Sequence, residues 1–584
     1  MWALTGNLVT RGGREVSADD VVTALAGVDG QVIRTELPGL RFSKQLLEVK
    51  LHLTGIFPDG LLVEAVVDKG GVITPASPSG HQVVGSTWHQ LDANSLSLSM
   101  GFVGQAGPVS LSAGRYLGLL AGSTAVSLID DSEAKRASDW GRTRANLQPP
   151  DGLEAELFPY QIVGSSVMRL LAGFELGTLL ADEMGLGKTM QVISLLLAER
   201  EAGTSLVVAP AALLPNWRNE LATFAPSLSV LVHAGPRRAG VAARLLGFDV
   251  VVTSYDTVVN DMSFFEDVNW NVVAIDEAQS IRNPDAIRSK VVRRLQRRIP
   301  IAVTGTPVEN NLLDLWPIAE FVLPSILGDR QYFERSFTDE VEAARIIGRL
   351  VAPVTVRRAV AEVAQDLPPR VDSVTELALD KEGQRALAEA RASGDALAAL
   401  TRMRLICSHA DDDTTPLEVF RSKAKVEHTL DIVEEAFGRG DKVLVFAGFT
   451  ATLDRLNRAL RDRVPSIFTG VVDGRLGAED RQSMIEGFTA EDGGAVLLLN
   501  PRAAGVGLNI TAANHVVHFS PEWNPALTAQ ATARAYRRRQ DKPVFVHHLY
   551  YGGTVEQDVI GSAEYKKVLA AAVNVGIAEG DSDE

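Results

Sequence analysis

Cysteine is nearly absent from this 584-residue chain, with Cys407 the only one. A disulfide framework and a cysteine-ligated zinc site are therefore excluded, and nothing points to secretion. Long apolar runs are missing as well. No uninterrupted stretch reaches the ~18 residues of a membrane-spanning helix. The opening Met1-Trp-Ala-Leu-Thr-Gly6 lacks the basic-then-apolar order of a signal peptide. The expected location is the cytoplasm, with no membrane partner. An excess of cations is also lacking, since the formal net charge is −16. Such acidity opposes long-range attraction to nucleic acid but permits a local groove of backbone amides and a few cations. Aromatic residues make up only 6% of the chain, and no stretch collects them into a stacking platform for single strands.

What is present is globular. Hydrophobic residues at 46% and charged residues at 22% supply material for several cores. At about 150 residues per domain the length suggests three or four units. Residues 1–150 alternate in short strand-like stretches, Leu46–Leu53 and Gly60–Val67, broken by turn clusters such as Phe57-Pro-Asp-Gly60. They predict a β-rich or α+β accessory domain. Its histidines, His52, His81 and His89, are scattered and read as packed or solvated. Leu147–Gly152 reads as a linker. From about 151 the pattern becomes strand then helix, with apolar runs at Ser205–Ala209, Asp249–Thr253, Val272–Ile275 and Ile301–Thr304. Runs of this kind suit strands covered on both faces of a parallel sheet. A second series covers 441–570, after a charged, helical stretch at 371–440. The expectation is an α/β protein with two parallel-sheet lobes, 151–370 and 441–570, a helical connector between them, and a disordered acidic tail at 571–584.

The chemistry concentrates after the first strand of the first lobe. Asp182-Glu-Met-Gly-Leu-Gly-Lys-Thr189 lies between the apolar Gly177–Ala181 and the helix-like Met190–Ala198. Strand, glycine-containing turn and helix form the order of a P-loop. Its backbone N–H groups and helix N-terminus cradle phosphates, its Lys reaches the β/γ-phosphates, and its Thr hydroxyl holds magnesium. The strict pattern asks for Gly at position 182, where this chain has Asp. About 90 residues on, Asp276-Glu-Ala-Gln279 follows the strand ending at Ile275. Adjacent carboxylates at a strand end suit ATP hydrolysis, with Asp276 for the hydrated metal and Glu277 as general base for water. Gln161, in Leu157-Phe-Pro-Tyr-Gln161, stands where a residue reading adenine is expected.

These segments, in this order, together with Ala209-Pro-Ala-Ala-Leu-Leu-Pro-Asn-Trp217, Thr253-Ser-Tyr255 and Thr304-Gly-Thr-Pro-Val-Glu-Asn310, resemble the Swi/Snf family of ATP-dependent DNA translocases in helicase superfamily two. Val356-Arg-Arg358, Leu367–Arg370, Asp473-Gly-Arg475, Asp480-Arg-Gln482, Asn500–Asn509, Trp523-Asn-Pro525 and Gln530–Gln540 extend the similarity over about 153–565. The resemblance implies two RecA-like lobes, ATP and Mg2+ as cofactors, and Asp182 as the residue this family uses. The nucleotide-binding set it implies is Gln161, Asp182, Met184, Gly185, Leu186, Gly187, Lys188, Thr189 and Met190, with Gly505 and Gly507 from the second lobe. Thr189 and Asp276 would hold the metal. Lys188, Glu277 and Gln279 would act in catalysis with the finger arginines Arg534 and Arg537, which are three apart and so expected on one helical face. Thr253, Ser254 and Thr450 would meet the phosphates of nucleic acid.

Some positions depart from the family pattern. Gln279 stands in place of His. In Gln530–Gln540, Ala533, Tyr536, Arg538 and Arg539 replace the usual Asp, His, Ile and Gly. The cationic stretch Arg288–Arg298 reads as a solvated helix face, with a DNA groove as the alternative. The expected function is a DNA-stimulated ATPase that translocates on duplex DNA and displaces bound protein. Two alternatives stay open: a strand-separating helicase, and an ATP-switched factor that binds a partner such as RNA polymerase. The accessory domain, with balanced charge, is expected to gate the lobes or bind a protein partner.

Overall fold

The computed structural model describes the chain apart from residues 28, 57–59, 105–106, 121–125, 133–147, 236–237, 239–241, 365, 393–394, 409–423, 505–509, 539 and 583–584. The chain divides into two compact units, residues 1–145 with 325–328, and residues 146–324 with 329–584. Leu147, the first residue of the expected linker, lies outside the described residues.

The first unit is α+β. Two long antiparallel strands, Val49–Ile56 and Gly60–Lys69, carry the shorter strands Val72–Pro75, Val109–Ser110 and Leu128–Asp130. Helix Ala93–Val103 lies on them and is tied through Ser99 Oγ, which donates to Val49 O. A separate core gathers Trp2, Val9, Val21, Ile33, Val83 and Trp88 between small three-stranded sheets and two helices. The three histidines are accounted for one at a time. His81 bonds to Val16 O, His52 to Asp131, and His89 sits beside Lys69.

The second unit holds two parallel sheets. In the first, seven strands run in the order Val230–His233, Val250–Ser254, Ser205–Ala209, Trp270–Asp276, Arg297–Val303, Thr178–Leu180, Thr355–Val356. The central strands are buried along their length, save Asp276 at the end of Trp270–Asp276. Covering helices on both faces make this possible, which is why their sequences are continuous apolar runs rather than alternating ones. The second sheet has six strands in the order Arg370–Leu377, Val544–Tyr551, His515–His518, Lys442–Phe446, Ala495–Leu499, Phe468–Val472. Because the strands of each sheet are parallel, all their C-termini lie at one edge, where ligands of such folds bind.

Two expectations need correction. The stretch 371–440 is not wholly helical, because Arg370–Leu377 pairs in parallel with all of Val544–Tyr551 and forms the edge of the second sheet. Its alternating, half-solvated sequence lacks the apolar run of a central strand, and so it read as connector. Helices Lys381–Arg391, Ala396–Cys407 and Ala424–Gly438 follow it.

The acidic tail is also not a separate segment. Through Ser582 it is the end of helix Val555–Ser582, which returns to the first lobe and lies against helix Val341–Val351. The two backbones nearly touch: a Cβ on Gly576 would sit 2.1 Å from Arg345 O, and one on Gly348 would sit 2.2 Å from Val573 O. Glu579 pairs with Arg345 and Arg349. One carboxylate of that tail, Glu579, is thus paired with arginines of the first lobe.

Candidate active site

The P-loop follows strand Thr178–Leu180 and runs into helix Lys188–Ala198. Gly185 and Gly187 have φ of +89° and +72°, in the left-handed region that glycine enters without steric cost. Space is equally decisive at Gly187, where a Cβ would meet Gln161 Nε2 at 2.4 Å. Lys188 Nζ reaches back over the loop and donates to Asp182 O at 2.9 Å. Burial lowers its pKa from the ordinary lysine value, while Glu277, Asp182 and Asp276 oppose the shift. Gln161 is set against the same loop. Its Nε2 donates to Leu186 O at 3.0 Å and its Oε1 accepts from Phe158 N. Tyr160 Oη donates to that same carbonyl.

Asp182, the residue outside the generic P-loop pattern, has its carboxylate turned away from the loop. It is fully buried, bonded to Arg358 on both oxygens and to Gln191 Nε2 at 2.9 Å. Arg358 Nη2 also donates to Gln191 Oε1 at 2.8 Å. A buried aspartate needs such complete partnering. Its place in the site is to fix the start of the P-loop to the segment after strand Thr355–Val356.

Asp276 ends strand Trp270–Asp276, which is separated from Thr178–Leu180 by strand Arg297–Val303, and Glu277 follows it. Trp217 Nε1 donates to Asp276 Oδ2 at 2.8 Å, the N–H of Glu277 donates to Oδ1, and Tyr255 Oη donates to the Asp276 carbonyl. Burial and the charge of Glu277 push the Asp276 carboxyl well above the usual carboxylate range, against the Trp217 bond and Lys188. An anion held this way suits a divalent cation, and Thr189 lines the same cavity. Glu277 has φ +51°, a conformation costly for a residue with a side chain and typical of functional sites. Gln279 explains how the carboxylate is aimed. Its Nε2 donates to Glu277 Oε2 at 2.7 Å and its Oε1 accepts from Thr304 Oγ1 at 2.8 Å.

The second lobe closes the site. A cavity of about 260 Å³ is lined by Gly185, Lys188, Thr189, Asp276 and Glu277 from the first lobe and by Gln530, Arg534 and Arg537 from the second. Burial lowers Arg534 to about 10, with Glu277 opposing the change. The expected helical face for Arg534 and Arg537 is corrected. Helix Pro525–Thr532 ends before them, and both lie on the turn that follows. Gln540 shapes that turn by donating to Ala535 O and Ala513 O, and Ile510 N binds Arg534 O. A Cβ on Gly185 would lie 3.0 Å from Arg537 Cβ, so the turn rests on the P-loop.

Residues 160–421 match the SNF2-related domain family, and residues 424–539 match the helicase conserved C-terminal domain family. The candidate ATP-dependent helicase/translocase YwqA of Bacillus subtilis is 34% identical over 449 residues, covering 71% of this chain and 48% of that protein. The SWI2/SNF2 ATPase core of Sulfolobus solfataricus, solved in complex with double-stranded DNA, is 29% identical. The match covers 73% of this chain and 95% of that one, at a TM-score of 0.39. The chain belongs to the SWI2/SNF2 family. ISW1, an ISWI chromatin-remodeling complex ATPase of Saccharomyces cerevisiae, is 30% identical, over 72% of this chain and 40% of its own length. The chain spans about half the length of the curated relatives it matches.

Other expected site residues of this SWI2/SNF2 chain are placed less uniformly. Met184 and Leu186 belong to the loop, Leu186 buried, and Met190 is the third residue of the helix. Gly505 and Gly507 lie outside the described residues. Thr253 is corrected as a phosphate contact: it is fully buried, and its hydroxyl donates to His233 O at 2.8 Å. Ser254 caps helix Tyr255–Asn260, its hydroxyl engaged by Thr257. Thr450 opens helix Thr450–Arg463 and stays partly exposed. The arginines of Arg288–Arg298 have partners inside the lobe. Arg298 joins Glu199 and Asn271, Arg294 joins Glu266, and Arg297 lies 4.2 Å over the Phe321 ring. They flank the start of strand Arg297–Val303, whereas the P-loop and Asp276 stand at strand ends, so they do not line a groove beside the site.

Sequence reasoning missed Trp217, Tyr255 and Thr304 as supports of the site, although each sat inside a quoted segment. Asn216 and Glu220 also line the cavity. Burial raises Glu220 above the usual carboxylate range, and Arg537 and a bond from Asn216 counter it. Among the described residues no cluster of three or more His, Cys, Asp or Glu could hold a metal. A magnesium ion completed by nucleotide phosphates needs none.

Proposed function

We propose that the chain is a DNA-stimulated ATPase that translocates on duplex DNA and displaces bound protein. The observation that carries this reading is the single cavity in which the P-loop of one lobe faces Arg534 and Arg537 of the other. In it Lys188 and the loop amides bind the phosphates, and Gln161 reads the base. Glu277, aimed by Gln279, orients the attacking water and takes its proton. Mg2+ held by Thr189 and Asp276 would neutralise charge on the β- and γ-phosphates when bound. Arg534 and Arg537 stabilise the departing phosphoryl group, an effect worth ~10³–10⁵ in rate for arginine fingers. Because the fingers come from the second lobe, hydrolysis requires closure and product release permits opening. That cycle can step the protein along a strand.

Duplex DNA is favoured as the track because a relative core was solved with double-stranded DNA and no aromatic stacking platform is present in the sequence. Thr450 is the one expected phosphate contact whose position suits the role. No described helix is long and apolar enough to cross a membrane, and a cytoplasmic site of action fits this reading. The test measures ATP turnover with no nucleic acid, single-stranded DNA, duplex DNA and RNA, then displacement of a triplex strand. Duplex-stimulated turnover with displacement and no unwinding supports the proposal. Unwinding would support the helicase alternative, and turnover indifferent to DNA the partner-binding one.

A further inference from the structure

Arg538 stands where the family pattern has Ile, and no motif assigns it a task. It follows the finger Arg537 on the second lobe, yet its side chain ends on the first. The guanidinium carbon lies 4.1 Å from the Phe158 ring centre and 5.5 Å from that of Tyr160. Nη1 pairs with Asp366, and Nη2 donates to Val363 O at 2.9 Å. The side chain is only 13% exposed. A planar cation between an aromatic face and a carboxylate uses stacking and hydrogen bonding together, which an ammonium cannot reproduce.

The surface it grips is the base-reading turn. The Phe158 and Tyr160 rings are parallel with centres 5.8 Å apart. Arg358 covers Tyr160 as well, also at 5.5 Å. Tyr160 Oη and Gln161 Nε2 both bond to Leu186 O of the P-loop, and the N–H of Phe158 holds Gln161 Oε1. A contact on the Phe158 ring therefore bears on the placement of Gln161.

We propose that Arg538 is an inter-lobe clasp on the base-reading turn, a positioning residue that couples closure of the second lobe to recognition of the adenine base. The inference rests on the ATPase reading and on Gln161 as the base reader. The clasp forms in the closed state whether or not the phosphoryl group is in transit. It contributes equally to ground and transition states and so belongs in KM rather than kcat. The fingers beside it act on kcat.

The test is Arg538→Ile, which restores the family residue, in the full-length protein. The KM for ATP should rise about tenfold, the range of a desolvated cation–π contact, with kcat at saturating ATP within about twofold. The KM for GTP should hardly move, so the preference for ATP should shrink by about the same factor. Arg538→Lys should recover less than half of the loss. Phe158→Leu probes the same contact from the exposed partner, should any Arg538 variant fold poorly. Combined with Arg538→Ile it should add little, since the two remove one interaction. Unchanged KM, or a fall in kcat at constant KM, overturns the clasp. Equal losses for ATP and GTP overturn its link to the base. Absence of ATP turnover in the unmodified protein sinks the ATPase reading itself, and wild-type turnover in Lys188→Ala sinks the site assignment; both are separate outcomes.

Discussion

Lys188 and Glu277 face each other across the cavity with different tasks, and their variants should separate. Lys188→Ala removes charge compensation for the phosphates and should abolish turnover and weaken nucleotide binding. Glu277→Gln removes the proposed base but leaves the P-loop intact, so turnover should vanish while ATP binding, read by equilibrium dialysis, persists. Arg534→Ala and Arg537→Ala should each lower kcat by ~10²-fold or more with smaller effects on affinity. Gln279 offers a finer test. Its amide joins Glu277 to Thr304, so Gln279→Ala should cost about tenfold or more in kcat, the order expected from losing one hydrogen bond to a charged group. A variant at wild-type rate would show that Glu277 is held by its backbone alone.

Strand and helix contacts hold their own predictions. Gly576→Ala inserts a Cβ 2.1 Å from Arg345 O. Such overpacking costs about 1–3 kcal/mol. The expected readout is faster amide exchange across Val555–Ser582 and a lower melting temperature. On the second sheet, His515 stacks on His547 and His518 on His548, with ring centres 5.7 and 4.9 Å apart. Burial lowers the pKa of all four from the ordinary 6.5, His547 to about 4. Asp441 faces His515, and Asp372 and Arg370 face the other pair. The unfolded chain protonates these rings first, so the unfolded state binds more protons as pH drops. Their contribution to stability is complete above about 6.5 and declines from there toward about 4. Thermal melts of the second unit should fall over that window, and Asn at His518 and His547 should flatten the decline.

For the molecule as a whole, every group of the candidate site belongs to the second compact unit. A chain beginning at Gln148 should therefore fold and hydrolyse ATP. If the first unit gates the lobes, the truncated protein should turn over more ATP without DNA than the intact one. If it binds a protein partner, kinetics should be unchanged while a co-purifying protein is lost. A soluble truncation that binds nucleotide but is inactive would place part of the site in residues 1–145. The second unit is itself bound together by polar contacts between its lobes. These include Asn524 to Glu309 at 3.0 Å, Lys566 to Asn310 at 3.0 Å, and the Glu579 pairs. Closure is thus spread over several contacts, and losing one should loosen it without abolishing it.

The parts legible in the sequence are those whose requirement is local. The P-loop glycines, the carboxylate pair after Ile275 and the apolar runs of covered strands each need a residue type at neighbouring positions, and the chain states them directly. Edge strand Arg370–Leu377 escaped because half-solvated alternation resembles a polar connector. What only the tertiary structure decided are partnerships between distant positions. Asp182 meets Arg358 across 176 residues, Glu579 meets Arg345 across 234, and Arg538 meets Asp366 across 172. Thr253 shows the same limit from the other side, as its hydroxyl turns into the sheet toward His233. No local rule specifies which charge faces which, because hydrogen-bond geometry and desolvation are set only when the lobes fold and meet.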